Sequence, residues 1–165
     1  MRRIALSIAI VASSLVRPLD AQHPAKVDFG PLETLVGHCW GGTFPDGKVT
    51  DKHCFEWVHD RKFIRDRHVV SGGEPYQGET IYAWDAAAKQ LSYTYWNSAG
   101  MVIVGRVEFT PDGVVFPSHY STPKGEVELK AVWTNLSEKG YRVTQSQRTD
   151  GAWKDLWSMD LTSRP

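Results

Sequence analysis

The sequence predicts an all-β fold: a ten-stranded antiparallel up-and-down barrel preceded by one short helix. Three observations carry that expectation. Nine turn signals recur at a nearly fixed spacing, among them Pro45-Asp46-Gly47, His59-Asp60-Arg61, Gly72-Gly73-Glu74-Pro75, Pro111-Asp112-Gly113 and Asp150-Gly151. The ten runs between them are rich in Val, Ile, Thr, Tyr, Phe and Trp, as in Lys62 to Val70, Thr80 to Trp84, Leu91 to Trp96, Met101 to Phe109 and Glu126 to Thr134. The connections are too short for crossover helices, so neighbouring strands are hairpin partners, and closing the sheet removes the edges that an open one would expose.

Composition narrows the rest. The 165 residues fit one domain, and Lys+Arg 19 balances Asp+Glu 19, so no basic excess is present to neutralise a nucleic-acid backbone. Hydrophobic residues at 41% and charged ones at 23% suit a packed globular chain rather than a disordered one. The unusual component is aromatic, with 7 Trp, 6 Tyr and 6 Phe.

Residues 1–21 read as a secretory signal peptide. Arg2 and Arg3 precede an apolar stretch from Ile4 to Val16, and cleavage is expected after Ala21. The stretch is shorter than the roughly 20 apolar residues a membrane span needs, and no Cys near the cleavage point offers a lipid anchor. A soluble, exported product in a periplasm or beyond is implied, mildly acidic, with no nucleic-acid or membrane partner. Residues 22–30 form a leader, and 31–163 the barrel domain.

Pro31 to Val36 reads as a single helical turn with Pro at its first position. Next comes a hairpin from His38 to Phe44 and from Val49 to Val58, turning at Pro45-Asp46-Gly47-Lys48. That register sets Phe44 opposite Val49 as a hydrogen-bonded pair, Trp40 opposite His53, and Cys39 opposite Cys54 as a non-hydrogen-bonded pair, where side chains approach most closely. Export permits the disulfide Cys39–Cys54. The competing reading, a metal site from His38, Cys39, His53 and Cys54, fails on the pleat, which sends the cysteines to one face and the histidines to the other.

The later strands alternate unevenly. Glu126 to Ala131 switches cleanly between polar and apolar, whereas Tyr93 to Trp96 and Met101 to Val104 are aromatic or apolar on both faces, for which cover by a lid helix or loops, or a partner, is an explanation. Inside the barrel, Trp40, Phe44, Phe55 and Trp57 share one face of the first hairpin and Tyr82 and Trp84 share one face of a later strand. These aromatics line a ligand pocket or simply fill a core. His53, beside His38 in the same hairpin, and Arg65 with Arg67, which share a face with Phe63, are the polar groups expected to orient a guest, the arginines and His being suited to a carboxylate. Surface pairing of those arginines with Asp60 or Asp66 is the competing explanation.

Enzyme signatures are scarce. The sequence has no Gly-x-Ser-x-Gly elbow, phosphate loop, dinucleotide fingerprint or His-Glu-x-x-His. Asp66 and His68 share one strand face about 7 Å apart by strand geometry, so they could flank a substrate but not share a proton directly. Asn135-Leu136-Ser137 is a formal glycosylation sequon beside a turn. No catalytic residue, metal or cofactor is assigned on these grounds.

Leu32-Glu33-Thr34-Leu35-Val36-Gly37 followed by Trp40-Gly41-Gly42 resembles the opening of lipocalin-like and fatty-acid-binding-like barrels. Arg61 to Arg65, Tyr76 to Asp85, Lys89-Gln90-Leu91, Trp96 and Asp150 to Trp153 extend the resemblance to a family of exported bacterial lipocalin-like barrels, over about residues 31 to 161. The resemblance implies a calycin-type barrel and no established activity. The haem-binding nitrobindin family opens similarly, but its iron is held by a His near the C-terminus, and no His follows His119 here, so haem is not expected. The leading expectation is an exported barrel that binds a small apolar or amphipathic molecule. A small cyclase- or isomerase-like enzyme and a filled structural barrel are the alternatives.

Overall fold

A computed structural model describes residues 27–123 and 125–164. The signal-peptide reading of 1–21, and residues 22–26 of the leader, lie outside the described residues. One 3₁₀ helix, Gly30–Leu35, is followed by eleven strands: β1 Cys39–Thr43, β2 Thr50–Val58, β3 Phe63–Ser71, β4 Tyr76–Asp85, β5 Gln90–Asn97, β6 Val102–Arg106, β7 Glu108–Thr110, β8 Gly113–Thr122, β9 Gly125–Ser137, β10 Gly140–Thr149 and β11 Ala152–Arg164. Neighbours pair antiparallel in chain order. β1 also pairs with β11, and β6 with β8 through Val104↔His119 and Gly105↔Ser118. The ten-stranded barrel is thereby closed, with β7 lying outside it against β8. The expected sixth strand is split because Val107 leaves the ladder, buries its side chain and donates its N–H to the Leu91 carbonyl at 2.9 Å.

The first hairpin has the expected register. Trp40 faces His53, Cys39 faces Cys54, and Phe44 N–H donates to the Val49 carbonyl at 2.8 Å. Cys39 and Cys54 are joined by a disulfide with their Cα atoms 4.1 Å apart, the close spacing of a non-hydrogen-bonded rung.

The 3₁₀ helix closes one end of the barrel. Its Leu32 and Leu35 are fully buried with Phe29, and they meet Trp40, Phe55, Ile64, Val114 and Leu161 to form a floor. Trp40 is fixed there by donating Nε1–H to the Leu35 carbonyl at 3.0 Å. Since the helix plugs the floor, it does not cover the outer wall: Trp96, Val102 and Val104 stay 42%, 54% and 55% exposed. The doubly apolar runs are therefore not covered by a lid. The other end, where the β1–β2, β3–β4, β5–β6, β8–β9 and β10–β11 connections gather, is open.

Candidate functional site

Between floor and open end lies a cavity of about 830 Å³. Its walls are unequal. Tyr82, Tyr93, Phe116, Trp133 and Met159 present aromatic and apolar surface, whereas β2 and β3 contribute four ionisable side chains, Asp51, His53, Asp66 and His68. Strand alternation places them. Asp51 and His53 share the inward face of β2 with Phe55, and Asp66 and His68 share the inward face of β3 with Ile64. The β2–β3 register sets His53 opposite His68 and Phe55 opposite Asp66.

The four groups form one hydrogen-bonded chain with β4 and β5. His53 donates through Nδ1 to Asp66 Oδ2 at 2.8 Å and through Nε2 to Asp51 Oδ2 at 3.2 Å. His68 donates through Nδ1 to both oxygens of Asp51, at 3.0 and 3.1 Å. Its Nε2 accepts from the Tyr95 hydroxyl at 3.0 Å, and Tyr95 accepts in turn from Tyr76 at 2.7 Å. Asn97 Nδ2 donates to Tyr76 at 2.9 Å and ends the chain. These tautomers are the assignment in which every link has one donor and one acceptor. The two imidazoles stack at 4.8 Å, 15° from parallel.

Gly78 on β4 gives this chain its room. A Cβ there would stand 2.4 Å from Tyr95 Cε2 and 2.5 Å from His68 Nε2, so the His68–Tyr95 bond requires a residue without one.

Electrostatics follow from crowding carboxylates and imidazoles in a poorly solvated wall. Burial alone would push His53 down, but the charge of Asp66, hydrogen bonds to Asp51 and Asp66, and the charge of Asp51 outweigh it and raise its pKa to about 10. Asp51 resists the upward push of burial because hydrogen bonds from His53 and His68 hold it well below the usual carboxylate range. Burial pushes Tyr95 far up, helped by its bond to Tyr76. Tyr82 and Tyr141 are raised by burial and then by the charge of Asp66. Two buried atoms have no hydrogen-bond partner among the described residues, Asp66 Oδ1 and the Tyr141 hydroxyl.

Of the residues expected to meet a ligand, His53 and Tyr82 line the cavity. Trp40 and Phe55 point inward but belong to the floor, and Trp57 and Trp84 pack against the same core without lining the cavity. Trp57 instead meets Phe29 edge-on at 5.3 Å and carries the Arg61 guanidinium at 4.8 Å from its ring centroid.

Arg65 and Arg67 overturn the expected inward orientation. They occupy the outward face of β3, where both pair with Glu56 on β2, at 2.7 and 3.1 Å. Their partner is thus neither Asp60 nor Asp66. His38 is exposed, whereas His68 is only 8% exposed. Among the described residues no Lys or Arg lines the cavity.

No protein-family model and no curated protein matches this chain.

The geometry alone therefore specifies the site's chemistry. It pairs an aromatic wall, which takes flat or apolar groups, with a carboxylate-rich wall that accepts hydrogen bonds and repels anions. Asp51, Asp66, Tyr95, Tyr76 and Asn97 were not singled out as site residues from sequence. The signal for the two carboxylates was available: His59-Asp60-Arg61-Lys62 is a turn, pairing outward from it sets Asp66 and His68 opposite Phe55 and His53, and alternation puts Asp51 on the same face of its strand as His53.

Proposed function

We propose that this protein is an exported, lipocalin-like barrel that binds a small, largely apolar molecule carrying a neutral hydroxyl or other hydrogen-bond donor. The observation that carries the reading is the two-faced cavity. Its volume of about 830 Å³ falls within the roughly 300–1,000 Å³ of small-molecule sites, and a filled structural barrel would offer no such space. The apolar part of a guest would lie against Phe116, Trp133 and Tyr93. Its donor would meet the carboxylate wall of Asp51 and Asp66.

A fatty-acid-like guest does not suit this cavity. The arginines that would bind its carboxylate are outside, and His53 is already held between two aspartates. Charged residues on the outer faces of the strands, Glu56, Arg65, Arg67 and Glu128 among them, suit a barrel surrounded by water rather than by lipid. Among the described residues no helix is long and apolar enough to cross a membrane. The disulfide fits an oxidising compartment.

A matched pair of probes tests this in buffer containing a metal chelator. 2-Naphthol and 2-naphthoate share a ring system and differ in a neutral hydroxyl against a carboxylate. Quenching of Trp133 and Trp157, which both line the cavity, reports binding. Naphthol is expected to bind at least tenfold more tightly than naphthoate, and Ala131→Trp, which fills the cavity, is expected to abolish binding. Equal affinities, or binding that survives Ala131→Trp, overturn the reading.

A further inference from the structure

We propose that Asp51, His53 and His68 form a mononuclear site for a first-row divalent cation, of the two-histidine, one-carboxylate kind, with its remaining coordination positions open to the barrel cavity. Three donor atoms, a carboxylate oxygen of Asp51, Nε2 of His53 and Nδ1 of His68, lie within 4.8 Å of one another. Bonds of about 2.0–2.2 Å to a tetrahedral ion set its ligand atoms roughly 3.3 Å apart. The two separations that involve Asp51 already match, at 3.2 and 3.1 Å from the same oxygen, Oδ2. The third, between the imidazoles, closes when one of the stacked rings turns out of parallel so that both lone pairs reach a common point.

The far side of each ring is as informative as the near side. A metal-bound histidine needs its second ring nitrogen held, usually by a carboxylate, carbonyl or other polar group, which fixes the tautomer and aims the ring. Nδ1–H of His53 is held by Asp66 at 2.8 Å. Nε2 of His68 is held by the Tyr95 hydroxyl at 3.0 Å, itself anchored by Tyr76 and Asn97. With a cation on Nδ1, His68 carries its proton on Nε2 and donates it to the Tyr95 oxygen, and the hydroxyl chain reverses direction without moving its atoms.

Charge points the same way. Once the ion has displaced the proton that His53 Nε2 shares with Asp51, two carboxylates beside two neutral imidazoles carry a charge of −2, which the divalent ion neutralises, and among the described residues no Lys or Arg lines the cavity to do so instead. Two nitrogens and one oxygen suit Zn²⁺, Fe²⁺ or Co²⁺ better than Ca²⁺ or Mg²⁺, which prefer oxygen throughout. Three protein ligands beside a hollow barrel leave positions for an oxygen of the bound molecule, as in catalytic rather than structural sites. Unlike the excluded grouping of His38, Cys39, His53 and Cys54, all three ligands lie on the inward face.

The test uses the full secreted chain, stripped with chelator and titrated with Co²⁺. One equivalent is expected to bind with the visible absorption of a low-symmetry Co²⁺ site, and Zn²⁺ is expected to displace it. His53→Gln and His68→Gln should each weaken binding at least 100-fold. Asp66→Asn should keep the stoichiometry and weaken binding 10–100-fold. His38→Gln and His119→Gln should leave it unchanged. Near-ultraviolet circular dichroism of the aromatic core checks that each variant is folded. In the unmutated chain, imidazole ¹⁵N shifts on Zn²⁺ addition should assign the metal to Nε2 of one ring and Nδ1 of the other. Absence of one-to-one binding of either ion, or binding untouched by both glutamine variants, overturns the site. Because the naphthol comparison is made in chelator, it stands or falls separately.

Discussion

Gly78→Ala is the most economical perturbation of the polar wall, because it adds one methyl group and removes nothing. The backbone at Gly78 is not in the left-handed region, so alanine brings no conformational strain, and its effect is steric. The added Cβ would lie 2.4 Å from Tyr95 Cε2, 2.5 Å from His68 Nε2 and 2.6 Å from the Tyr95 hydroxyl, where ordinary contacts are 3.4–4 Å. Tyr95 and His68 must each withdraw by about 1 Å, and their 3.0 Å hydrogen bond cannot survive that separation. Overpacking costs about 1–3 kcal/mol. Leaving a buried polar partner unsatisfied costs about 1–3 kcal/mol more. We expect a net loss of about 3 kcal/mol in urea denaturation and a fall in Tm of about 10 °C. Gly100→Ala is the control: it adds a methyl into open space at φ +78°, so only backbone strain of about 1–2 kcal/mol is expected, with no change in the His68 or Tyr95 resonances. A loss below about 0.5 kcal/mol for Gly78→Ala, or unshifted His68 and Tyr95 signals, would refute the close packing that organises the wall.

Reduction of Cys39–Cys54, or its replacement by a pair of alanines, opens a loop with a sequence separation of 15 and should cost about 3 kcal/mol, read as a lower denaturation midpoint; an unchanged midpoint would mean the hairpin persists in the unfolded chain. Tyr82, Tyr93 and Tyr141 have folded pKa values raised above the ordinary value of about 10, so their contribution to stability is whole below that pH and is lost as pH rises through the folded values. Absorbance titration should show these phenols ionising only with cooperative alkaline unfolding, and smooth ionisation of all six tyrosines near pH 10 in a folded barrel would contradict this. Arg65→Ala and Arg67→Ala remove surface pairs with Glu56 and should change stability by at most about 1 kcal/mol and leave naphthol binding intact, whereas a binding loss would place an arginine at the ligand. His53→Ala alone should cost about 3–5 kcal/mol, while replacing Asp51, His53, Asp66 and His68 together by apolar residues of similar size should be neutral or stabilising by about 1–4 kcal/mol, and collapse of the fold in that fourfold variant would show the cluster to be structural.

Legibility differed between the fold and the site for a physical reason. The first hairpin was fully legible because a turn signal, a proline without an N–H and two cysteines fix one register, and the observed pairs agree. The closed ten-stranded barrel was legible from turn spacing and from the instability of open edges. Which face of β3 points inward was not read correctly. Phe63 shares a face with Arg65 and Arg67 and drew attention to it, although it lies at the strand's end, where burial is incomplete. The inward face is instead Ile64, Asp66 and His68, and two of its three residues are of types normally found outside. A polar inward face inverts the hydrophobic pattern by which facing is judged, so a polar wall of this kind hides from alternation. Gly78 was similarly silent, since the need for its small size arises only when three strands meet.

The placement of the polar residues is itself an argument about purpose. Fully buried apolar side chains gather at the floor, where Phe29, Leu32, Leu35, Trp40 and Phe55 exclude water and hold the barrel closed. Above them the wall changes character over one rung, from Phe55 to His53 on β2 and from Ile64 to Asp66 on β3. Apolar residues at Asp51, His53, Asp66 and His68 would continue the core upward at no cost in strand propensity and without the desolvation of two carboxylates. Stability alone therefore favours a different sequence at these four positions. Among the described residues their hydrogen bonds are complete except at Asp66 Oδ1. A polar network kept beside a hollow at a cost in stability is what the proposed binding function explains, and under that reading the aromatic and carboxylate walls give a guest two distinct ends.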